Sequence, residues 1–163
     1  MIRFEIDNTS AIHWPSLSKF EIVHSVQQLL TLSSIVTNLR VWNGVGSTEL
    51  GVQSLNFNRF IVLKELVIEN ECFKYVREIV LDGLDKLESV KIGEKSFRIS
   101  ERNERNDGVF KITNCPNLCE LEIGKGSFYD FNQFELTNVN SLQSIQFGES
   151  CFKFVDNCVL KGK

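Results

Sequence analysis

Apolar residues recur along this chain in the figure L-x-x-L-x-I, whose last positions alternate between apolar and polar. Its first leucine falls at Leu63, Leu87, Leu118 and Leu142, spaced by 24, 31 and 24 residues. Three places on stand Leu66, Val90, Leu121 and Ile145, and two further Ile68, Ile92, Ile123 and Phe147. A period of two predicts a short strand with these residues on one side. Five residues later each copy has a phenylalanine, Phe73, Phe97, Phe128 or Phe152. A second alternating pair follows: Ile79 with Leu81, Phe110 with Ile112, Phe134 with Leu136, and Cys158 with Leu160. That pair predicts a second short strand, because a coil of 24 residues holds two strands and their turns but no long helix besides.

Similar segments within one chain predict a supersecondary unit stacked on its own copies, since one unit cannot bury its apolar face alone. Parallel stacking sets phenylalanine beside phenylalanine, and burying each ring contributes roughly 1.5–3 kcal/mol. Gly93, Gly124 and Gly148 follow the first strand, where a bend off the sheet favours a residue without Cβ. The N-terminal part keeps the figure more loosely. Leu17, Phe20 and Ile22 fit L-x-x-F-x-I after FEIDN at Phe4–Asn8, which mirrors FELTN at Phe134–Asn138, and Val36, Leu39 and Val41 supply another copy. Between them SVQQLLTLSSIV is apolar at Val26, Leu29, Leu30 and Leu32, a spacing that suits a short helix and an irregular coil equally. We expect one domain over residues 1–163, with 1–35 as an irregular cap and 36–163 as repeats. Val159 and Leu160 begin a further coil, so the C-terminal end calls for additional coils or a second molecule laid end to end.

A small residue stands before the phenylalanine of each unit: Cys72-Phe73, Ser96-Phe97, Ser127-Phe128 and Cys151-Phe152. With this pair and the L-x-x-L-x-I figure, the chain resembles leucine-rich repeats, in particular the BspA-like type of bacteria and protists, from Leu55 to Leu160. The resemblance implies a repeat solenoid of stacked coils, with a parallel β-sheet on one face, short strands and turns on the other, and little helix. It further implies a curved scaffold whose strand-lined face binds other proteins and which carries no chemistry.

Composition narrows the partners. At 42% hydrophobic residues the 163-residue chain has enough apolar content for a continuous core without disulfides or metal. Eighteen basic against 21 acidic residues leave a net charge of -3, which offers no broad basic field for nucleic acid or an anionic membrane. No apolar run approaches the roughly 20 residues of a membrane span, and MIRFEIDNTS lacks the form of a signal peptide, so the chain reads as cytoplasmic.

Residues able to carry chemistry mostly fall into structural columns. Of five cysteines, Cys72 and Cys151 take the small-residue position, Cys115 aligns with Leu84 and Val139, and Cys158 aligns with Phe134. Cys119 alone need not be buried, and Cys115 with Cys119 lacks the second pair that zinc spacing requires. His13 and His24 stand near no recognisable nucleophile motif. The glycines of NGVGSTEL and IGKGS lack phosphate-loop spacing and read as turns. RISERNERNDG, Arg98–Gly108, is an inserted loop of balanced charge that reads as solvated. Asn8-Thr9-Ser10 matches a glycosylation acceptor, which has meaning only in a secreted protein. No catalytic residue, cofactor or metal is expected.

Residues between the inward ones must point outward. They are Lys19, Glu21 and Val23; Asn38, Arg40 and Trp42; Glu65, Val67 and Glu69; Ser89 and Lys91; Glu120 and Glu122; Ser144 and Gln146. We take Arg40, Trp42, Glu65, Val67, Glu69, Lys91, Glu120, Glu122 and Gln146 as candidate partner-binding residues. Exposed aromatics and arginines dominate interface energetics, and Glu65, Glu69, Glu120 and Glu122 would form an acidic stripe. Trp42 also fits a second role, folding over the core edge to stabilise the cap. An enzyme on a parallel β-helix is the alternative function, with Glu120 and Glu122 about 7 Å apart along a strand as acid and base toward a polysaccharide.

Overall fold

A computed structural model describes residues 19–98 and 107–162. Leu17, His13, the Phe4–Asn8 segment, Asn8-Thr9-Ser10 and residues 99–106 of the insertion lie outside the described residues. The alternation read from the sequence becomes two parallel β-sheets with almost no helix. The front sheet takes β1 (Phe20–Val23), β2 (Asn38–Val41), β4 (Glu65–Ile68), β6 (Ser89–Ile92), β8 (Glu120–Ile123) and β10 (Ser144–Phe147), side by side in that order. The back sheet takes β3 (Ser54–Asn56), β5 (Glu78–Asp82), β7 (Gly108–Thr113), β9 (Phe131–Thr137) and β11 (Asn157–Lys161), also in order. From β2 onward, successive strands therefore alternate between the sheets. No described helix is long and apolar enough to cross a membrane.

Register delivers the columns. Leu39, Leu66, Val90, Leu121 and Ile145 pair in succession, as do Val41, Ile68, Ile92, Ile123 and Phe147. Across the core, Leu55, Ile79, Phe110, Phe134 and Cys158 form the facing column. Between the sheets run the phenylalanines. Phe97 lies 5.5 Å from Phe73 and 4.8 Å from Phe128, and Phe128 lies 5.0 Å from Phe152, centroid to centroid. All four hold left-handed backbone, with φ of 52°, 54°, 54° and 48°. That conformation costs an L-residue roughly 1–2 kcal/mol. The cost is offset because it turns each ring into the stack. One unit earlier the same position is Gly46, also left-handed, where a Cβ would fall 2.4 Å from the Phe73 ring. A side chain there would displace Phe73, so the spine begins at Phe73.

The small residue before each phenylalanine ties neighbouring units together. Ser96 Oγ accepts the Cys72 N–H at 3.1 Å and donates to the Glu69 carbonyl at 2.8 Å. Ser127 Oγ accepts the Ser96 N–H at 3.0 Å and donates to the Gly93 carbonyl at 2.6 Å. Cys72 and Cys151 point their thiols at the equivalent carbonyls of Trp42 and Gly124, at 3.1 and 3.0 Å. Such groups satisfy backbone that would otherwise be buried unpaired, at about 1–3 kcal/mol each. Serine and cysteine share the column because each combines small size with a donor.

Gly93, Gly124 and Gly148 do occupy one column, but for a reason the sequence did not disclose. Their φ angles are ordinary, and a Cβ on Gly124 would fall 2.6 Å from Gly93 C and 2.7 Å from Glu94 N. Close backbone contact between units, and not a left-handed bend, excludes a side chain there.

The ends depart most from expectation. Residues 19–35, expected as irregular cap, hold β1 and the short helix α1 (Val26–Thr31), N-capped by Ser25. Val26 and Leu29 of α1 are buried, and Arg59 caps its last carbonyls, donating to Leu29 and Leu32 at 2.5 and 2.8 Å. In β1 the register is one residue from that expected. Phe20 and Ile22 pair with Asn38 and Arg40 and point outward, while Glu21 and Val23 join the inward columns of Leu39 and Val41. The reason lies in the neighbouring backbone. Lys19 N–H donates to Thr37 Oγ1 at 2.8 Å and Trp42 N–H donates to the Val23 carbonyl at 2.9 Å, pinning both ends of the strand. Glu21 tolerates its position because β1 is the outermost strand of this sheet among the described residues, where its carboxylate reaches Lys19 at 3.2 Å. At the other end Cys158, expected near the core, is exposed, because no described unit covers β11.

Candidate functional site

The outward face of the front sheet displays two complete rows. One runs Phe20, Asn38, Glu65, Ser89, Glu120 and Ser144, the other Ile22, Arg40, Val67, Lys91, Glu122 and Gln146. Trp42 and Glu69 extend the face one position beyond the strands. All nine candidate residues lie on it or at its edge. The register slip adds two that the sequence reading had assigned to the core, Phe20 and Ile22. The signal was present in FEIV, which is apolar at positions 20, 22 and 23 and so fits either register.

One end of the face is apolar. Phe20 is 53% exposed, Ile22 39% and Trp42 46%, and Val67 is half-buried beside them. Trp42 lies against the ring of His24, within the N-terminal cap region, 5.4 Å between centroids. Arg40, flanked by Ile22 and Val67, turns toward Glu69 and pairs with it at 3.1 Å. The other Glu69 oxygen accepts the Asn43 N–H at 3.1 Å. Arg40 is thus held flat along the sheet beside the aromatics.

The remainder of the face is polar, and its charges are paired within it. Glu65 accepts from Asn38 Nδ2 at 3.0 Å. Lys91 bridges Glu120 at 3.1 Å and Glu122 at 3.6 Å, and Ser89 Oγ adds a bond to Glu120 at 3.2 Å. The hydrogen bond from Lys91 holds the Glu120 carboxyl below its usual range, and the same bond raises Lys91. Gln146 is exposed at the far end, 3.5 Å from Ser144 Oγ. The expected acidic stripe is therefore matched carboxylate by carboxylate with internal donors.

Thiol chemistry is suppressed in the core. Burial pushes Cys72 and Cys115 up to about 11 and raises Cys151 as well, so these thiols stay protonated at neutral pH. Among the described residues no group of three or more His, Cys, Asp or Glu is arranged to hold a metal ion. Set against protein-family models, curated proteins and solved structures, the chain matches none.

Proposed function

We propose that this chain is a leucine-rich-repeat-like solenoid that serves as a non-catalytic scaffold and binds a protein partner through the outward face of its front sheet. One observation carries the reading: Phe20, Ile22 and Trp42 are exposed at one end of the face, next to the Arg40–Glu69 ion pair, with a polar surface of internally paired charges beyond. A contiguous apolar patch with a polar rim is the usual form of a protein contact site. Aromatic and arginine side chains are those whose truncation most often costs an interface 2 kcal/mol or more, roughly 30-fold in affinity. The paired carboxylates supply a surface that matches shape and excludes water, and the apolar end supplies most of the binding energy.

Pull-down with the face replaced in two blocks tests the reading. Changing Phe20, Ile22 and Trp42 to serine should abolish recovery of the partner. Changing Glu65, Glu120 and Glu122 to glutamine should weaken it only several-fold. Unchanged recovery after both blocks, in proteins that keep their β-sheet circular dichroism, would reject it.

A further inference from the structure

Asn43 is the only asparagine of the chain that is followed by glycine. Glycine has no side chain to hinder attack by its own backbone nitrogen, so Asn-Gly is the sequence at which asparagine most readily loses ammonia. In that reaction the Gly44 nitrogen gives up its proton and bonds to Asn43 Cγ, the Cγ–Nδ2 bond breaks, and ammonia leaves. Water then opens the cyclic imide at one or other carbonyl, giving aspartate or isoaspartate. Asn43 is exposed, so water reaches it.

Stacking of the units opposes the first step. Gly44 N–H donates to the Asn70 carbonyl at 2.9 Å, and the same bond repeats along this corner of the fold, from Glu71 to Glu94, Lys95 to Lys125 and Gly126 to Glu149. All four donors hold left-handed backbone, with φ of 76°, 58°, 54° and 70°. Gly44 is therefore one rung of a ladder between units, and its nitrogen can attack only when that rung opens. Asn43 is clamped as well. Its N–H donates to Glu69 Oε2 at 3.1 Å while Oε1 of the same carboxylate holds Arg40, and Val45 N–H closes the turn onto the Trp42 carbonyl at 3.2 Å. We propose that Asn43 is a deamidation site whose rate is set by local opening of this rung, with the Glu69 carboxylate as its latch. Either product sets a second carboxylate close to Glu69. Isoaspartate also routes the backbone through the former side chain, which takes the rung out of register.

Peptide mapping by mass spectrometry tests the proposal on the full chain, held in mildly alkaline buffer with and without denaturing urea. In urea Asn43 should convert ahead of every other asparagine. In the folded protein it should convert at least about tenfold more slowly, because the equivalent of two net hydrogen bonds must open first. Glu69→Ala removes the latch and should raise the folded-state rate several-fold. It should leave the rate in urea and the other asparagines unchanged, which separates local opening from global unfolding. Glu69→Gln, of the same size but without the charge, should give a smaller rise and serves should the alanine variant fold poorly. Folded-state conversion as fast as that in urea, conversion in urea no earlier at Asn43 than elsewhere, or a folded-state rate unmoved by loss of the Glu69 carboxylate would overturn the proposal.

Discussion

Replacing Phe128 with alanine tests the columnar packing most directly. The ring is fully buried and stacks at 4.8 Å on Phe97, 5.0 Å on Phe152 and 4.6 Å on Phe110, and meets Phe131 in a T-shaped contact at 4.9 Å. Phe→Ala in a core costs about 3–5 kcal/mol, and aromatic pairs add about 0.5–1.5 kcal/mol beyond area, so four partners place Phe128→Ala at about 5 kcal/mol or above. Against a total stability of about 5–15 kcal/mol this is a large share. Phe152 is only partly buried at the open end, so Phe152→Ala should cost about half as much. Backbone gives an independent reading. At a φ of 54° alanine keeps the left-handed penalty and glycine escapes it, so Phe128→Gly should be as stable as Phe128→Ala or more stable by about 1 kcal/mol. In regular strand or helix the order is the reverse. Equilibrium urea unfolding, followed by circular dichroism, measures all three differences. Equal losses at Phe128 and Phe152, or glycine falling below alanine by its customary margin, would refute this account of the spine.

Two further outcomes follow from single contacts. Gly124→Ala forces a Cβ onto the backbone of the preceding unit and should cost about 2–3 kcal/mol by urea unfolding, whereas Gly44→Ala, left-handed but with open space around it, should cost about 1 kcal/mol. Asp82 is held below its usual range, first by the Thr113 hydroxyl at 2.5 Å and then by Asn114 Nδ2 at 2.8 Å. A depressed carboxyl stabilises the fold above its unfolded pKa, near 3.9, and loses that contribution as pH falls through the folded value. The gap in unfolding midpoint between wild type and Asp82→Asn should therefore be open at neutral pH and close below about pH 4; a gap that stays constant with pH contradicts the assignment.

Much of the core could be read from the chain because parallel stacking places equivalent residues in register, so a column in the structure is a spacing in the sequence. Leu66, Val90 and Leu121, the Phe73–Phe152 series and the serine-cysteine column were each legible that way. Most of the candidate face was legible for the same reason, since alternation assigns every second residue of a strand to the outside. What alternation cannot supply is the register of a strand that has only one neighbour among the described residues. For Phe20–Val23 both faces carry apolar residues, and the hydrogen bonds to Thr37 and Trp42, made 18 and 19 residues away in sequence, select the one that turns Phe20 and Ile22 outward. Nor can spacing tell which glycines serve turns and which serve contact between units, since Gly124 is required by the backbone of Gly93 and Glu94. The sequence by itself determined which residues lie above one another. Only the tertiary structure decided the exposure of those at either end, because burial there depends on what stands on the next level and not on the residue's own pattern.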